Sequence, residues 1–309
     1  MGCDCGAAAS MSLRLKIVNF LLRNVERRAL ARINEPEKIQ RRMEFQTGLV
    51  FRPPRKVPIA SEVLAHGESS VSCLKISDGE RGVLLYIHGG AYIFGSARTH
   101  RKFAAKLAVN SGLTAYSINY RLAPQHPFPA AIDDAYTAYQ ALLGRGVKAS
   151  SITLAGDSAG GGLVLALLHR ILANGLPTPR NVVAFSPLTD QTMQSPSLKT
   201  NAKFEAMLPA ERMEEVRGMY IQSDFKNPLA SPLFGAFAGA PPVFISVGTK
   251  EILLDDSLRM VAKLREEGVA VTIDILENGP HVWPFFTGLL PEADATLARV
   301  KTFISRPSL

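Results

Sequence analysis

The 309-residue sequence has few cysteines, no long apolar run and little net charge outside its first sixth. Two of its three cysteines, Cys3 and Cys5, lie in the first five residues, so Cys73 has no disulfide partner in the rest of the chain. We therefore expect a reducing compartment, namely the cytoplasm. Because no run of about 18 uninterrupted apolar residues occurs, we expect no membrane-spanning helix.

The positive charge lies almost entirely near the start of the sequence. Residues 1–56 contain 12 Lys or Arg against 5 Asp or Glu, which accounts for seven of the eight net positive charges. A nucleic-acid-binding protein would cluster basic residues on its folded body, interleaved with aromatic ones, and no such cluster occurs. We therefore expect no nucleic-acid partner. Residues 1–10, mostly small and followed by a second methionine, are interpreted as a tag or a disordered segment.

A basic amphipathic helix is predicted at 11–33. Its apolar residues recur at three- and four-residue spacing, and basic residues are available for the other faces. The apolar positions are Leu13, Ile17, Phe20, Leu21 and Val25. The pattern favours a helix that packs over the body of the protein. Weak association with a membrane surface is the alternative that such a pattern leaves open.

Strands alternate with helices through the rest of the chain, beyond a proline-containing linker at 52–55. The predicted strands are 60–64, 71–76, 83–87, 114–118, 152–154, 182–185, 243–247 and 271–276. The predicted helices are 98–109, 132–142, 163–172, 256–267 and 291–304. This order predicts an α/β fold whose mostly parallel sheet begins with an antiparallel hairpin. The polar stretch 191–224, helical at about 209–219, is too long for a simple connection, so we interpret it as an insertion that contributes to a lid.

The most informative stretch is Gly-Asp-Ser-Ala-Gly at 156–160, between a short β-rich run and an apolar helical segment. In a strand-to-helix turn this pattern is typical of a nucleophile elbow, in which a strained serine is exposed above the sheet. A phosphate-binding loop or a plain tight turn is the alternative. A P-loop would need Gly-Lys-Ser/Thr here, and the dinucleotide fingerprint would need Gly-x-Gly, and neither is present.

A serine nucleophile needs a histidine base and an acid that orients it, in the chain order Ser, Asp/Glu, His when the serine is on an elbow. Four of the six histidines precede Ser158, and His169 lies far along the following helix, which leaves His281 just past the last strand. Glu251 is the first carboxylate after the preceding strand and is the preferred acid. Asp255 is the alternative, although it lies where a carboxylate would cap the next helix.

The stretch His88-Gly89-Gly90-Ala91 follows a predicted strand and is of the His-Gly-Gly-Gly type found in esterases. Backbone N–H groups in such a loop, with that of Ala159, could stabilise an oxyanion.

These motifs, with Tyr-Arg-Leu-Ala-Pro at 120–124 and Phe-Pro-Ala-Ala at 128–131, resemble the hormone-sensitive-lipase-like family of bacterial esterases. The resemblance runs from about residue 83 to 283 and implies an α/β-hydrolase fold, with a helical cap at 11–55, core at 56–190 and 225–309, and a cap insertion at 191–224. It also implies frequent homodimers. It assigns the nucleophile to Ser158, the base to His281, and the oxyanion donors to Gly89, Gly90 and Ala159. The sequence departs from the family pattern at two positions. Ala91 replaces the third glycine of the His-Gly-Gly-Gly loop, and Glu251 replaces the usual catalytic aspartate, as it does in one branch of the family.

The sequence therefore predicts a serine carboxylesterase, a carboxylic ester hydrolase acting on short- to medium-chain acyl esters without metal or cofactor. Tyr92, Asp157 and Trp283 are candidates for the substrate pocket. A lactonase, amidase or formamidase could use the same three catalytic groups. A non-catalytic receptor on the same fold, such as the family's plant hormone receptors, is less favoured because those proteins lack the histidine.

Overall fold

A computed structural model describes residues 11–50 and 57–306. The segment 1–10, interpreted above as a tag, and the predicted linker at 52–55 lie outside the described residues.

An eight-stranded sheet forms the centre of the molecule. The strands are β1 (Ile59–His66), β2 (Ser69–Ile76), β3 (Val83–Ile87), β4 (Thr114–Ile118), β5 (Ile152–Asp157), β6 (Asn181–Phe185), β7 (Val243–Gly248) and β8 (Val271–Leu276). They lie in the order β1-β2-β4-β3-β5-β6-β7-β8. The pairs β1–β2 and β2–β4 are antiparallel and the others are parallel, which confirms the expected opening hairpin and parallel sheet.

Helices cover both faces of this sheet. They are α1 (Leu13–Leu21), α2 (Arg27–Arg32), α3 (Pro36–Val50), α4 (Ala97–Ser111), α5 (Ala130–Gly144), α6 (Ala159–Ala173), α7 (Ser197–Thr200), α8 (Met213–Tyr220), α9 (Leu254–Glu266) and α10 (Pro291–Ser305). Because successive strand residues point to opposite faces, β3 contributes to two cores. Leu85 and Ile87 pack in one cluster with α5, α6 and α9, and Leu84 and Tyr86 pack in the other with α4 and α10. Strands covered on both faces read as apolar runs, which is why the sequence located them so closely.

The predicted N-terminal helix is present but continues through a π-helical turn, Leu22–Glu26, between α1 and α2. The sequence analysis missed α3. Ile39 is one of the few apolar residues of α3 that are buried, so the helix has no apolar stripe for a periodicity argument to detect. Among residues 11–50 and 57–306, every helix is too short or too polar to cross a bilayer.

The N-terminal helices contact the insertion that separates β6 from β7. One part of this contact is made by Arg212, a largely buried residue between the two segments. Its guanidinium donates hydrogen bonds to the carbonyl of Leu30 at 2.9 Å and to that of Ile33, and it pairs with Glu215 at 2.6 Å. Arg212 thereby joins two segments that lie far apart in the sequence.

Candidate active site

The turn between β5 and α6 holds Ser158 in a strained conformation. Its φ of 54° and ψ of −120° lie where non-glycine residues are rarely found, at a cost of about 1–3 kcal/mol. The turn closes only because its flanking residues lack side chains. A Cβ atom on Gly156 would lie 2.3 Å from the Gly160 carbonyl oxygen, and one on Gly160 would lie 2.1 Å from that of Ile87. The predicted strand-turn-helix context of the Gly-Asp-Ser-Ala-Gly motif is therefore present.

His281 lies in the loop after β8 and is almost fully buried. Its Nδ1 atom is 2.7 Å from Oε2 of Glu251, the first carboxylate after β7. Its other ring nitrogen, Nε2, is buried and has no hydrogen-bond partner within the described residues. This leaves one nitrogen held by an acid and the other available to a reacting group, which is the arrangement a general base requires.

Glu251 is itself held in place by two further donors. Its Oε1 atom accepts hydrogen bonds from the hydroxyl of Ser186 at 2.8 Å and from the amide of Gly248 at 2.6 Å. The Ser186 hydroxyl in turn accepts from the amide of Val282, next to His281, at 3.1 Å. Ser186 was not identified from the sequence. Its position directly after β6, at the carboxyl edge between the elbow strand and the acid strand, is the signal that could have indicated it.

Burial and charge act in opposite directions on this pair. Burial alone would lower the pKa of His281, but the hydrogen bond and negative charge of Glu251 outweigh it, so the pKa is raised above its ordinary value of 6.5. The histidine is thus made a stronger base by its acid partner.

Asp255, the alternative acid, is used elsewhere. Its carboxylate accepts the amide hydrogen of Ser197, the first residue of α7, at 2.7 Å, and its own amide donates to the Ser197 hydroxyl at 3.0 Å. These bonds attach the insertion to the start of α9. The structure brings Glu251, and not Asp255, to His281.

The carboxylate of Asp157 holds the loop after β3 in place. The Asp157 Oδ1 atom accepts the amide hydrogen of Gly89 at 3.0 Å and the hydroxyl of Tyr86. Its Oδ2 atom is 3.5 Å from Nε2 of His100. Burial would raise the pKa of Asp157, but the charge of His100 and hydrogen bonds lower the pKa overall. The ionised form of this buried carboxylate is therefore favoured.

This network changes which loop amides can serve as oxyanion donors. Gly89, predicted as a donor, already donates to Asp157 and does not line the cavity described below. Gly90 and Ala91 do line it, with φ values of 118° and 54°. A Cβ atom on Gly90 would lie 2.0 Å from the carbonyl oxygen of Phe94, so a glycine is required there. Ala159 begins α6, where a backbone N–H has no intrahelical partner.

Ser158 and His281 line one cavity of about 110 Å³. Apart from these two and Asp157 and His100, its wall is almost entirely apolar. Leu30 and Met43 contribute from the N-terminal helices, and the insertion contributes Met207, Leu208 and Met213. A second apolar cavity of about 60 Å³ shares Leu30, Ala91, Phe94, Leu208 and Met213 with the first and continues towards Val216.

Two of the three candidate pocket residues lie away from this cavity. Tyr92 stacks on Tyr220 with ring centroids 3.7 Å apart, and Trp283 donates to the hydroxyl of Thr296 at 3.1 Å in a core with Leu15. Both side chains are buried in packing contacts rather than facing the cavity. Asp157, the third candidate, does line it.

Known proteins resemble this chain over most of its length. The profile of a family described as alpha/beta hydrolase fold matches residues 84–285. The chain belongs to this family. An esterase from Acinetobacter venetianus is 37% identical over 223 residues, which cover 72% of this chain and 74% of that protein. An acetyl-hydrolase from Streptomyces hygroscopicus is 33% identical over 244 residues, covering 79% and 82%.

Solved structures place this α/β hydrolase more narrowly. An esterase from the bacterial hormone-sensitive lipase family superposes with a TM-score of 0.87 at 33% identity, covering 96% of this chain and 98% of that one. The predicted fold and the predicted likeness to the hormone-sensitive lipase family are both confirmed.

Proposed function

We propose that this α/β hydrolase is a serine carboxylesterase in which Ser158 is the nucleophile, His281 the base and Glu251 the acid. The observation that carries the proposal is the cavity that Ser158 and His281 share, with Nε2 of His281 unpartnered and Nδ1 held by Glu251. The esterase and acetyl-hydrolase relatives support the same reaction class.

The proposed reaction passes through an acyl-enzyme on Ser158. His281 takes the hydroxyl proton of Ser158 as the oxygen attacks the ester carbonyl, and Glu251 stabilises the imidazolium that forms. We assign the oxyanion to the amides of Gly90, Ala91 and Ala159, since the Gly89 amide is already bound to Asp157. His281 next protonates the leaving alcohol. A water molecule, activated by the same histidine, hydrolyses the acyl-enzyme and restores Ser158.

The cavity supports short acyl groups first and medium chains second. A volume of about 110 Å³ beside Ser158 suits a small acyl group, and the adjoining 60 Å³ cavity would take the next few methylene groups. Apolar walls from the N-terminal helices and the insertion would bind such chains by the hydrophobic effect. A homodimer and a cytoplasmic location stay predictions from the sequence.

Replacement of the nucleophile tests this function directly. In Ser158→Ala, turnover of p-nitrophenyl butyrate should fall by about 10⁶-fold, as expected when a serine hydrolase loses its nucleophile. Ser151→Ala, just before the opposite end of β5, is a matched control and should retain normal turnover. A fluorophosphonate should label the parent protein and the control but not Ser158→Ala. Near-normal turnover by Ser158→Ala would disprove the serine mechanism. Lactone and amide substrates, assayed beside the ester with the parent protein, would reveal which leaving group is preferred.

A further inference from the structure

Five apolar side chains of the N-terminal helical segment face away from the protein. Their exposed fractions are 71% for Leu13, 50% for Ile17, 65% for Phe20, 52% for Leu21 and 52% for Val25. Their spacing of three to four residues puts them along one face of the helix. Leu15 and Val18 of the same helix are buried. Part of the apolar surface of this helix is therefore packed, and the described residues, 11–50 and 57–306, leave the rest exposed.

The charged side chains of the helix itself, between residues 12 and 25, are all basic, and Glu26 just beyond them is paired with Arg42 at 3.0 Å. Residues 12–25 contain no Asp or Glu, whereas Arg14, Lys16 and Arg23 occur among them. None of the three is ion-paired with a carboxylate in the described ranges 11–50 and 57–306. Arg14 and Arg23 donate instead to the backbone carbonyls of Leu289 and Phe204, at 3.3 and 2.7 Å. These cations keep their charge available to an external anion.

A surface cleft of about 320 Å³ runs along the same helix and gathers three cations. Lys16 and Arg23 line it from the helix and Lys250 from the loop after β7, while Phe20 belongs to both the cleft and the exposed stripe. The carboxylate of Glu205 also lines the cleft, but its oxygens accept amide hydrogens from Met207, Leu208 and Ile252. The cleft thus offers cationic groups directly beside exposed apolar side chains.

We propose that this N-terminal helix docks on the surface of an anionic phospholipid bilayer. Its five exposed apolar side chains insert between the lipids, and Lys16, Arg23 and Lys250 hold headgroup phosphates in the cleft. Apolar side chains flanked by basic ones on a helix are the combination that binds an anionic membrane interface. A second copy of the chain is a poorer occupant, because two such faces would bring like charges together.

Docking there would also place the candidate active site close to the lipid. Leu30, at the end of the same helical segment, lines the cavity that contains Ser158. Apolar esters partition into a bilayer, so a docked enzyme would meet them at higher concentration. The docking itself does not depend on the proposed esterase function, because it is measured by binding alone.

Vesicle sedimentation of the full chain tests the docking. We expect the protein to sediment with vesicles of equimolar phosphatidylcholine and phosphatidylglycerol, much less with phosphatidylcholine alone, and less as salt is added. The double variant Ile17→Gln with Phe20→Gln should bind at least about tenfold more weakly, since two apolar side chains no longer insert. Lys16→Gln with Arg23→Gln should lose about fivefold per charge removed.

Matched controls lie outside the stripe. Val109→Gln, an exposed apolar residue of α4, and Lys301→Gln on α10 should leave binding unchanged, and circular dichroism should show that all variants are folded. Failure of the parent protein to sediment with the mixed vesicles would overturn the proposal, as would parental binding by the stripe variant. Light scattering would then show the oligomeric state. If the parent protein does not sediment and is a dimer, whereas the stripe variant is a monomer, the stripe is a contact between copies instead.

Discussion

The cavity that Ser158 lines is also lined by histidines from two buried carboxylate–histidine pairs, and the two pairs differ in whether a ring nitrogen is left without a partner. In one pair Nδ1 of His281 is 2.7 Å from Glu251, and in the other Nε2 of His100 is 3.5 Å from Asp157. Both histidines line the same cavity. By residue type and burial alone, either histidine could be the base.

The ring nitrogens distinguish the two histidines. Nδ1 of His100 is within 2.8 Å of the Thr99 hydroxyl and its Nε2 faces Asp157, so both nitrogens are engaged. The ring also stacks on that of His88 at 5.4 Å. His281 has an unpartnered Nε2. A buried carboxylate–histidine pair can act as a base only if the histidine nitrogen that does not face the carboxylate has no other partner.

The carboxylates differ in the same way. Asp157 is shared among Tyr86, Gly89 and His100, so its charge holds a loop together. Glu251 directs one oxygen to His281 and uses the other to fix its own position. One carboxylate therefore holds the loop after β3 in place, and the other holds the histidine that we propose as the base.

The largest expected effect separates the two histidines. His281→Asn should lower kcat/KM for p-nitrophenyl butyrate by about 10⁶-fold, as for loss of the base in other serine hydrolases. His100→Asn should cost at most about 10²-fold, since it only loosens the loop that presents oxyanion donors. Steady-state kinetics on both variants checks this, with thermal unfolding as the control for folding. Equal losses in the two variants would contradict the assignment.

The next effect separates the two acids that follow β7. Glu251→Gln keeps the side-chain shape but removes the charge that orients and stabilises the His281 imidazolium, so kcat should fall by about 10⁴-fold. Asp255→Asn, at the start of α9, should cost less than about tenfold because that carboxylate only binds the insertion. Measurement of kcat for both variants decides between them. A greater loss in Asp255→Asn would transfer the acid role to that residue.

The sequence predicted the parts of this site that depend on chain order and local pattern. The buried strands were located because apolar runs and turn residues are local signals, and β1 and β2 because β-rich stretches mark the two strands of the hairpin. His281 was singled out by elimination along the chain. The contact of Asp157 with the Gly89 amide is set by a side-chain direction over 68 residues of separation, which no local pattern encodes. For the same reason the sequence did not indicate that the Gly89 amide donates to Asp157 or that Ala91 lines the cavity.

Packing contacts account for the other differences. Trp283 was predicted as a pocket candidate, but its ring packs near α10 and donates to the hydroxyl of Thr296. The helix α3 was missed because its polar sequence carries little periodic signal. In the structure it contacts α4, and its Gln40 accepts the amide hydrogen of Gly95 at 2.6 Å. Tertiary contacts of this kind override local propensity and can be read only from the structure.

The smallest effect is a displaced pH profile, and it tests the Glu251–His281 pair while the enzyme is still active. The base must be neutral, so kcat/KM should fall about tenfold per pH unit below the pKa of His281 in the free enzyme. Because Glu251 raises that pKa, the acid limb of the parent protein should have its midpoint above 6.5. In Glu251→Gln the imidazolium loses its charged partner while burial remains, so the midpoint should move to lower pH.

The residual activity of Glu251→Gln, followed with a neutral ester over a range of pH, gives the midpoint of its acid limb. The control variant Asp255→Asn should keep the midpoint of the parent. An unchanged midpoint in Glu251→Gln would mean that the carboxylate does not govern the protonation of the base, whatever the loss in turnover.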